Sequence, residues 1–316
     1  MRNGIAIALA WPQTLCKNAG AWYDTPMKWL GLNKFNYYRV GHAAIVLIKK
    51  ETGECYYFDF GRYHALYQHG RVRSAFTDHD LAMNSKAVIE DGRLCNYTEI
   101  LYELYRNTSC HGDGNINASY CEIEFEKAYA KAISMQAQSP IQYGPFLPKG
   151  TNCSRFVNTV ILSGNPKWFY KLMLAFRKTL SPTPLGTVKL LHHYTVIGIN
   201  RSVPKGNFNR IRFYNETKTA CHNVLPPPAK PAHLPSGIQW LSGEGCGSWF
   251  HIGKRENGFL ISRYNADGKL ECSGLFRQAS GQPFKIEEHY SYTYLSHCAE
   301  VNIIQDNQKL NFQRNA

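Results

Sequence analysis

The sequence has little charge and very little acid. Asp, Glu, Lys and Arg make up 19% of its 316 residues, and only 23 of these are acidic against 36 basic. With 44% hydrophobic residues the chain can bury a core, which excludes wholesale disorder. No apolar run approaches the roughly 20 residues of a spanning helix, so no membrane span is expected. No repeat stands out. There is no C-x-x-C or H-x-x-x-H spacing, so no metal is expected, and the thiol chemistry read below requires no added cofactor. Residues 243–248 are glycine-rich but lack the strand–loop–helix context and the Lys-Ser/Thr ending of a phosphate loop. They read as a tight turn under Trp240 and Trp249. The net charge of +13 suits an anionic substrate or surface, without any motif that makes nucleic acid obligatory.

Ten cysteines are too sparse for the disulfide framework of a small secreted domain. Most are expected to be reduced and buried. That favours a cytoplasmic protein, with a periplasmic or exported one as the alternative. The apolar stretch at residues 5–11 is at the lower limit for a signal peptide and reads better as a first strand.

Prolines concentrate in residues 224–236, which predicts a linker between a mixed α/β unit (1–223) and a small β-meander or partial barrel (237–316). In the second unit, residues 259–264 and 269–276 flank Asn265 and Gly268 as a hairpin. In the first, residues 41–48 form a continuous apolar run, as in a strand buried on both faces. Residues 55–60 return beside it. Helices are expected over residues 98–105, 122–136 and 153–162, the last closed by Gly164.

The chemistry centres on Cys153, which follows a Gly- and Pro-containing loop and opens a helix. Free N–H groups and the positive dipole end favour thiolate there, and the same N–H groups can hold an oxyanion. His42 opens the apolar strand, where an ionisable residue is out of place unless it has work to do. With a two-residue turn at Thr52 and Gly53, paired positions sum to 105, and Asp59 shares a sheet face with His42. Arg62, Arg71 and Arg73, with His64 and His69, form a basic stretch. It either lines a cleft and binds a carboxylate or phosphate or is a solvated loop.

Gly41-His42 at a strand start, a hairpin ending in Asp59, and Asn152-Cys153-x-x-Phe156-Val157 at a helix start resemble the circularly permuted NlpC-like, papain-like cysteine hydrolases. Lecithin:retinol acyltransferase-like proteins share that order. The resemblance spans roughly residues 5–165. It implies an α+β, permuted papain-like domain with an antiparallel sheet and a cysteine-headed helix, here followed by a small all-β domain. By it, Cys153 is the nucleophile, His42 the base and Asp59 the orienting group, with Asn152 beside the substrate. It also implies a peptide-like amide, including cell-wall peptides, as substrate. Two alternatives stand beside this reading: a non-enzymatic binder of an anionic polymer and a lipid acyltransferase.

Overall fold

A computed structural model of the protein describes residues 2–18, 20–31, 33–34, 37–38, 40–144, 146–179, 183–198, 227–243 and 246–315. The first sheet is built from Gly4–Trp11 (β1), His42–Lys49 (β2), Cys55–Gly61 (β3), His69–Arg73 (β4), Ile116–Ile123 (β5), Ile141–Gln142 (β6) and His192–Ile197 (β7). Its spatial order is β6-β4-β3-β2-β1-β5-β7, antiparallel throughout. Helices Tyr97–Arg106 (α1), Phe125–Ala137 (α2), Cys153–Ser163 (α3), Trp168–Thr179 (α4) and Pro184–Val188 (α5) accompany it.

Strand alternation divides the interior into two cores. Ala6, Ala8 and Ala10 of β1, with Ala43, Ile45 and Leu47 of β2, meet α2, α3 and α4. Ile5, Ile7, Leu9 and Trp11, with Ala44, Val46 and Ile48, meet α1 through Ile100, Leu101 and Leu104. Three alanines in a row of β1 on the first face leave room for helix backbones to approach. The larger residues on the second face reach a single helix.

Two local expectations are corrected. The helix expected over 122–136 begins only at Phe125, because β5 runs to Ile123 in full register with β1. Glu122 therefore projects from a strand and pairs with Lys50 at 2.6 Å. The β2–β3 turn is also longer than two residues. The Gly53 N–H donates to the Lys49 carbonyl at 2.8 Å, and Lys49 N–H to Glu54 at 3.1 Å. Asp59 consequently stands opposite Ala44, a register two residues from that expected. A shift of two preserves the face, so His42 and Asp59 become diagonal neighbours.

The second sheet comprises Gln239–Leu241 (β8), Ser248–Arg255 (β9), Gly258–Tyr264 (β10), Leu270–Ser280 (β11), Ser291–Thr293 (β12), Glu300–Gln305 (β13) and Gln308–Arg314 (β14). Its order is β8-β9-β10-β11-β14-β13-β12, and its two edge strands touch, so it is nearly closed. Gly268, at φ +82°, turns the β10–β11 hairpin where a side chain would be strained. Of the proline-rich stretch, residues 224–226 lie outside the described residues, and 227–236 carry turns without helix or strand. Cys272 and Cys298 are joined as a disulfide, which corrects the expectation of reduced thiols at these two positions. Strands β11 and the loop before β13 bring them together over 26 residues of sequence. Cys221 lies outside the described residues.

The two sheets meet through charge. Asp78 receives Arg71 at 2.6 and 2.8 Å. Its other side meets Arg263 of β10 at 3.0 Å, and Arg263 also meets Glu271 at 2.8 Å. Burial opposes the Asp78 carboxylate, but the two guanidiniums hold its pKa well below the usual carboxylate range. Asp78→Ala strands two buried cations and is expected to cost about 3–5 kcal/mol, read as a fall in melting temperature by calorimetry. Asp78 contributes fully above the ordinary carboxylate pKa of about 4 and progressively less as pH falls. The gap between wild type and variant should therefore narrow in acid.

Candidate active site

Gly41 and His42 sit where β2 begins. Gly41 has φ +79°, and a Cβ there would lie 2.7 Å from the Trp11 carbonyl oxygen, so the β1–β2 approach requires glycine. His42 is buried, with its ring 5.8 Å from that of Trp11. Its Nε2 lies 3.6 Å from Asp59 Oδ2, an ion-pair contact a little longer than a hydrogen bond, and 3.4 Å from the Tyr63 hydroxyl. Asp59 is fully buried and multiply bound. Arg73 donates to it through Nε at 2.9 Å and Nη2 at 2.5 Å, and Tyr57 donates from its hydroxyl at 3.1 Å. The register that pairs Asp59 with Arg73 across β3 and β4 makes this fork possible.

Cys153 begins α3. Asn152 caps the helix, its Oδ1 accepting the Arg155 N–H at 2.8 Å from extended backbone. The amides of the first turn have no intrahelical acceptor and face the thiol's end of the helix. The preceding loop is fixed by Arg155, which donates to the Leu147 carbonyl at 3.1 Å, and by a bridge between Tyr143 and Thr151. Cys153 belongs to the helix-side core, while His42 heads its strand at the end of the sheet, and the influence of the ring on the thiol lowers the thiol's pKa.

The electrostatics follow from this packing. Burial disfavours the Cys153 thiolate, but the hydrogen bond and charge of His42, aided by the Ala43 N–H, lower its pKa. Burial likewise opposes the His42 imidazolium. Its contacts with Asp59 and Cys153 prevail and push it up to about 9. For Asp59 the burial cost is overcome mainly by Arg73 and then by His42, which hold the carboxyl far below its usual range. A row of Arg73, Asp59, His42 and Cys153 results in which each partner favours the charge of the next. The shift at Cys153 is toward the thiolate, the form that acts as a nucleophile, with the imidazolium as a proton donor.

A second thiol lies nearby. Cys16 donates to the Gly41 carbonyl at 3.1 Å. Burial, reinforced by the negative charge of Cys153, pushes it up to about 12, opposite in direction to the shift at Cys153. Tyr63, His111 and Cys16 were not singled out as site residues from sequence. Tyr63 lies under the Arg73 guanidinium at 3.6 Å and stacks on His111 at 5.2 Å. Its strand-end position two residues beyond Gly61 was the available signal.

The arginines do not form the open basic cleft or the solvated loop expected of them. Arg71 is 1% exposed and engaged by Asp78, and Arg73 is committed to Asp59. Arg62 is buried, donates to the carbonyls of Lys17 and Asn18, and lies 4.7 Å from the centre of the Tyr143 ring. Apolar burial on β3 and β4 leaves these guanidiniums no route to solvent except through internal partners. Exposed aromatic side chains stand near the cysteine loop as well: Trp22 and Phe146 are 6.3 Å apart beside Tyr23. Among the described residues, no group of three or more His, Cys, Asp or Glu is gathered as for a metal ion.

A family described as type VI secretion system effector TseH-like matches residues 6–168, which contain the whole of this site. A second, described as DUF6695 C-terminal domain, matches residues 238–315. Among solved structures, the crystal structure of the type VI secretion system effector TseH is 19% identical, with a TM-score of 0.38. The likeness covers 62% of this chain and 98% of that one. No curated protein matches.

Alkylation of Cys153 by iodoacetamide, followed by peptide mass spectrometry, should remain fast at pH 7 because the thiol pKa is lowered. In His42→Ala, burial is opposed only by the Ala43 N–H and Ser154. The pH 7 rate should then fall more than about tenfold and recover only at higher pH.

Proposed function

The chain belongs to the type VI secretion system effector TseH-like family, and from that membership and the geometry above we propose that it is a delivered thiol hydrolase. The observation that carries the reading is the buried row in which Asp59, fixed by Arg73, meets His42, together with a buried thiol at a helix start, Cys153, whose pKa His42 lowers. The histidine strand precedes the cysteine helix, as in permuted papain-like enzymes. The substrate is a peptide-like amide, cell-wall peptides being the class that the resemblance implies.

In the proposed reaction, the Cys153 thiolate attacks the carbonyl carbon and a C–S bond forms. The developing oxyanion is met by the amides of the first turn of α3. The His42 imidazolium gives its proton to the leaving nitrogen, the C–N bond breaks and a thioester remains. His42, now neutral, takes a proton from water as it attacks the thioester. The acid leaves, and the thiolate and imidazolium are restored. Asp59 holds the ring and stabilises its charge without accepting a proton, since Arg73 keeps it ionised. Asn152 acts through the helix start it caps. The aromatic pair Trp22 and Phe146 provides apolar contact at the approach.

An effector that works outside the producing cell meets oxidising surroundings, and the disulfide between Cys272 and Cys298 supports the exported alternative over a cytoplasmic one. The test is amine release from purified cell-wall peptides, followed by mass spectrometry. Wild type should release amine and Cys153→Ala should not. His42→Ala should lose about 10²–10⁴-fold in kcat. Asp59→Asn should lose activity while retaining the fold. Equal release by wild type and Cys153→Ala would overturn the mechanism, and no release by wild type would overturn the substrate class.

A further inference from the structure

Helix α4 has two apolar faces, and among the described residues only one packs into a core. Tyr170 and Leu174, 4% and 0% exposed, point into the helix-side core. Trp168 and Leu172, one turn apart on the far side, are 75% and 63% exposed, and Phe169 beside them is 51% exposed. Hydration of three large side chains is unfavourable, and apolar residues clustered in this way mark an interaction surface.

Charge identifies the occupant. The helix contains no Asp or Glu. Lys171 is exposed along the edge of the apolar stripe, and Lys167 precedes its first turn. At the same end is a niche of about 240 Å³ lined by Arg2, Lys167, Trp168, Phe169, Tyr170 and His192. Among the described residues, Arg2 donates to the carbonyls of Asn165 and Pro166, at 3.1 Å each, which fixes the guanidinium without a direct carboxylate partner. The nearest carboxylate to Lys167, that of Glu122 at 3.9 Å, is already bound by Lys50 at 2.6 Å. Two copies meeting at this face would bring like charges together, in a chain with a surplus of 13 positive charges.

We propose that α4 docks the protein on an anionic phospholipid surface. Trp168, Phe169 and Leu172 enter the boundary between headgroups and acyl chains, and Lys167, Lys171 and Arg2 meet lipid phosphates. This inference is independent of the proposed hydrolysis, since none of these residues belongs to the Cys153 site.

The experiment is co-sedimentation of the full chain with vesicles of mixed phosphatidylglycerol and phosphatidylcholine, against phosphatidylcholine alone. Wild type should sediment with the anionic vesicles and be released as salt rises. Trp168→Ser/Leu172→Glu should lower the partition coefficient at least about tenfold. Lys167→Gln/Lys171→Gln should lower it and flatten its salt dependence. Both pairs alter exposed positions, and circular dichroism checks their folding. Absence of wild-type binding, or equal binding by the apolar variant, would overturn the proposal. So would a wild-type dimer, seen in sedimentation velocity, that Leu172→Glu dissolves.

Discussion

A fully buried carboxylate must find counter-charge, and at Asp59 that requirement organises the whole site. Its oxygens receive a guanidinium fork from Arg73, a phenol from Tyr57 and the edge of His42. Removing one ion from water costs several kcal/mol, which only good geometry on both oxygens repays. The pairing fixes the register of β3 against β4, since Arg73 must stand opposite Asp59. It also charges the histidine, and the charged histidine in turn draws down the thiol. Each step depends on the one before it. Without the Asp59 charge, the first of the influences that oppose burial at His42 is lost, and the pull of His42 on the Cys153 thiol weakens with it.

Tyr63 connects that row to the second sheet. Its hydroxyl reaches His42, its ring lies beneath Arg73, and its backbone forms a parallel bridge to Cys246. One residue further on, His64 lies 3.9 Å from the Cys246 thiol. The Asp78 cluster anchors the same neighbourhood from the other side through Arg263. The second sheet is therefore not a remote appendage. Its contacts end one side chain away from the candidate base, and a displacement at Cys246 would be felt at the imidazole. Two buried Arg–Asp clusters with the same chemistry thus serve different ends, one setting a charge and the other joining two sheets.

Much of this was legible in the sequence, for physical reasons. The run at residues 41–48 is apolar on both faces, so its strand and its burial follow. Asn152 and Gly164 bracket α3 because a cap and a stop are local chemistry. The sheet face shared by His42 and Asp59 survived a wrong turn length because strand parity is unchanged by a shift of two. Partner choice was not legible. Arg62, Arg71 and Arg73 look like surface cations in any local window, and only the fold reveals the acids and carbonyls that they meet. The helix over 122–136 was extended too far because charge polarity at Glu122, Glu124 and Glu126 imitates a helix start, while β5 is secured by a strand more than 100 residues away. Cys272 and Cys298 gave no pairing signal for the same reason.

The internal pairing also explains where the positive surplus goes. Asp59 and Asp78 are among the few buried acids, and together they take up three arginines, Arg73, Arg71 and Arg263. Among the described residues the core therefore absorbs little of the excess of 13, and the lysines are not among its buried side chains. Lysine keeps its hydration and carries its charge on a flexible stem, so it suits a diffuse anionic surface better than a shaped anion pocket. That distribution separates two roles that composition alone confuses. These arginines build the buried row at Asp59 and the inter-sheet joint, where geometry is demanded. The lysines set the field in which the molecule approaches its surroundings, and where they flank the uncovered side of α4 that field coincides with apolar surface.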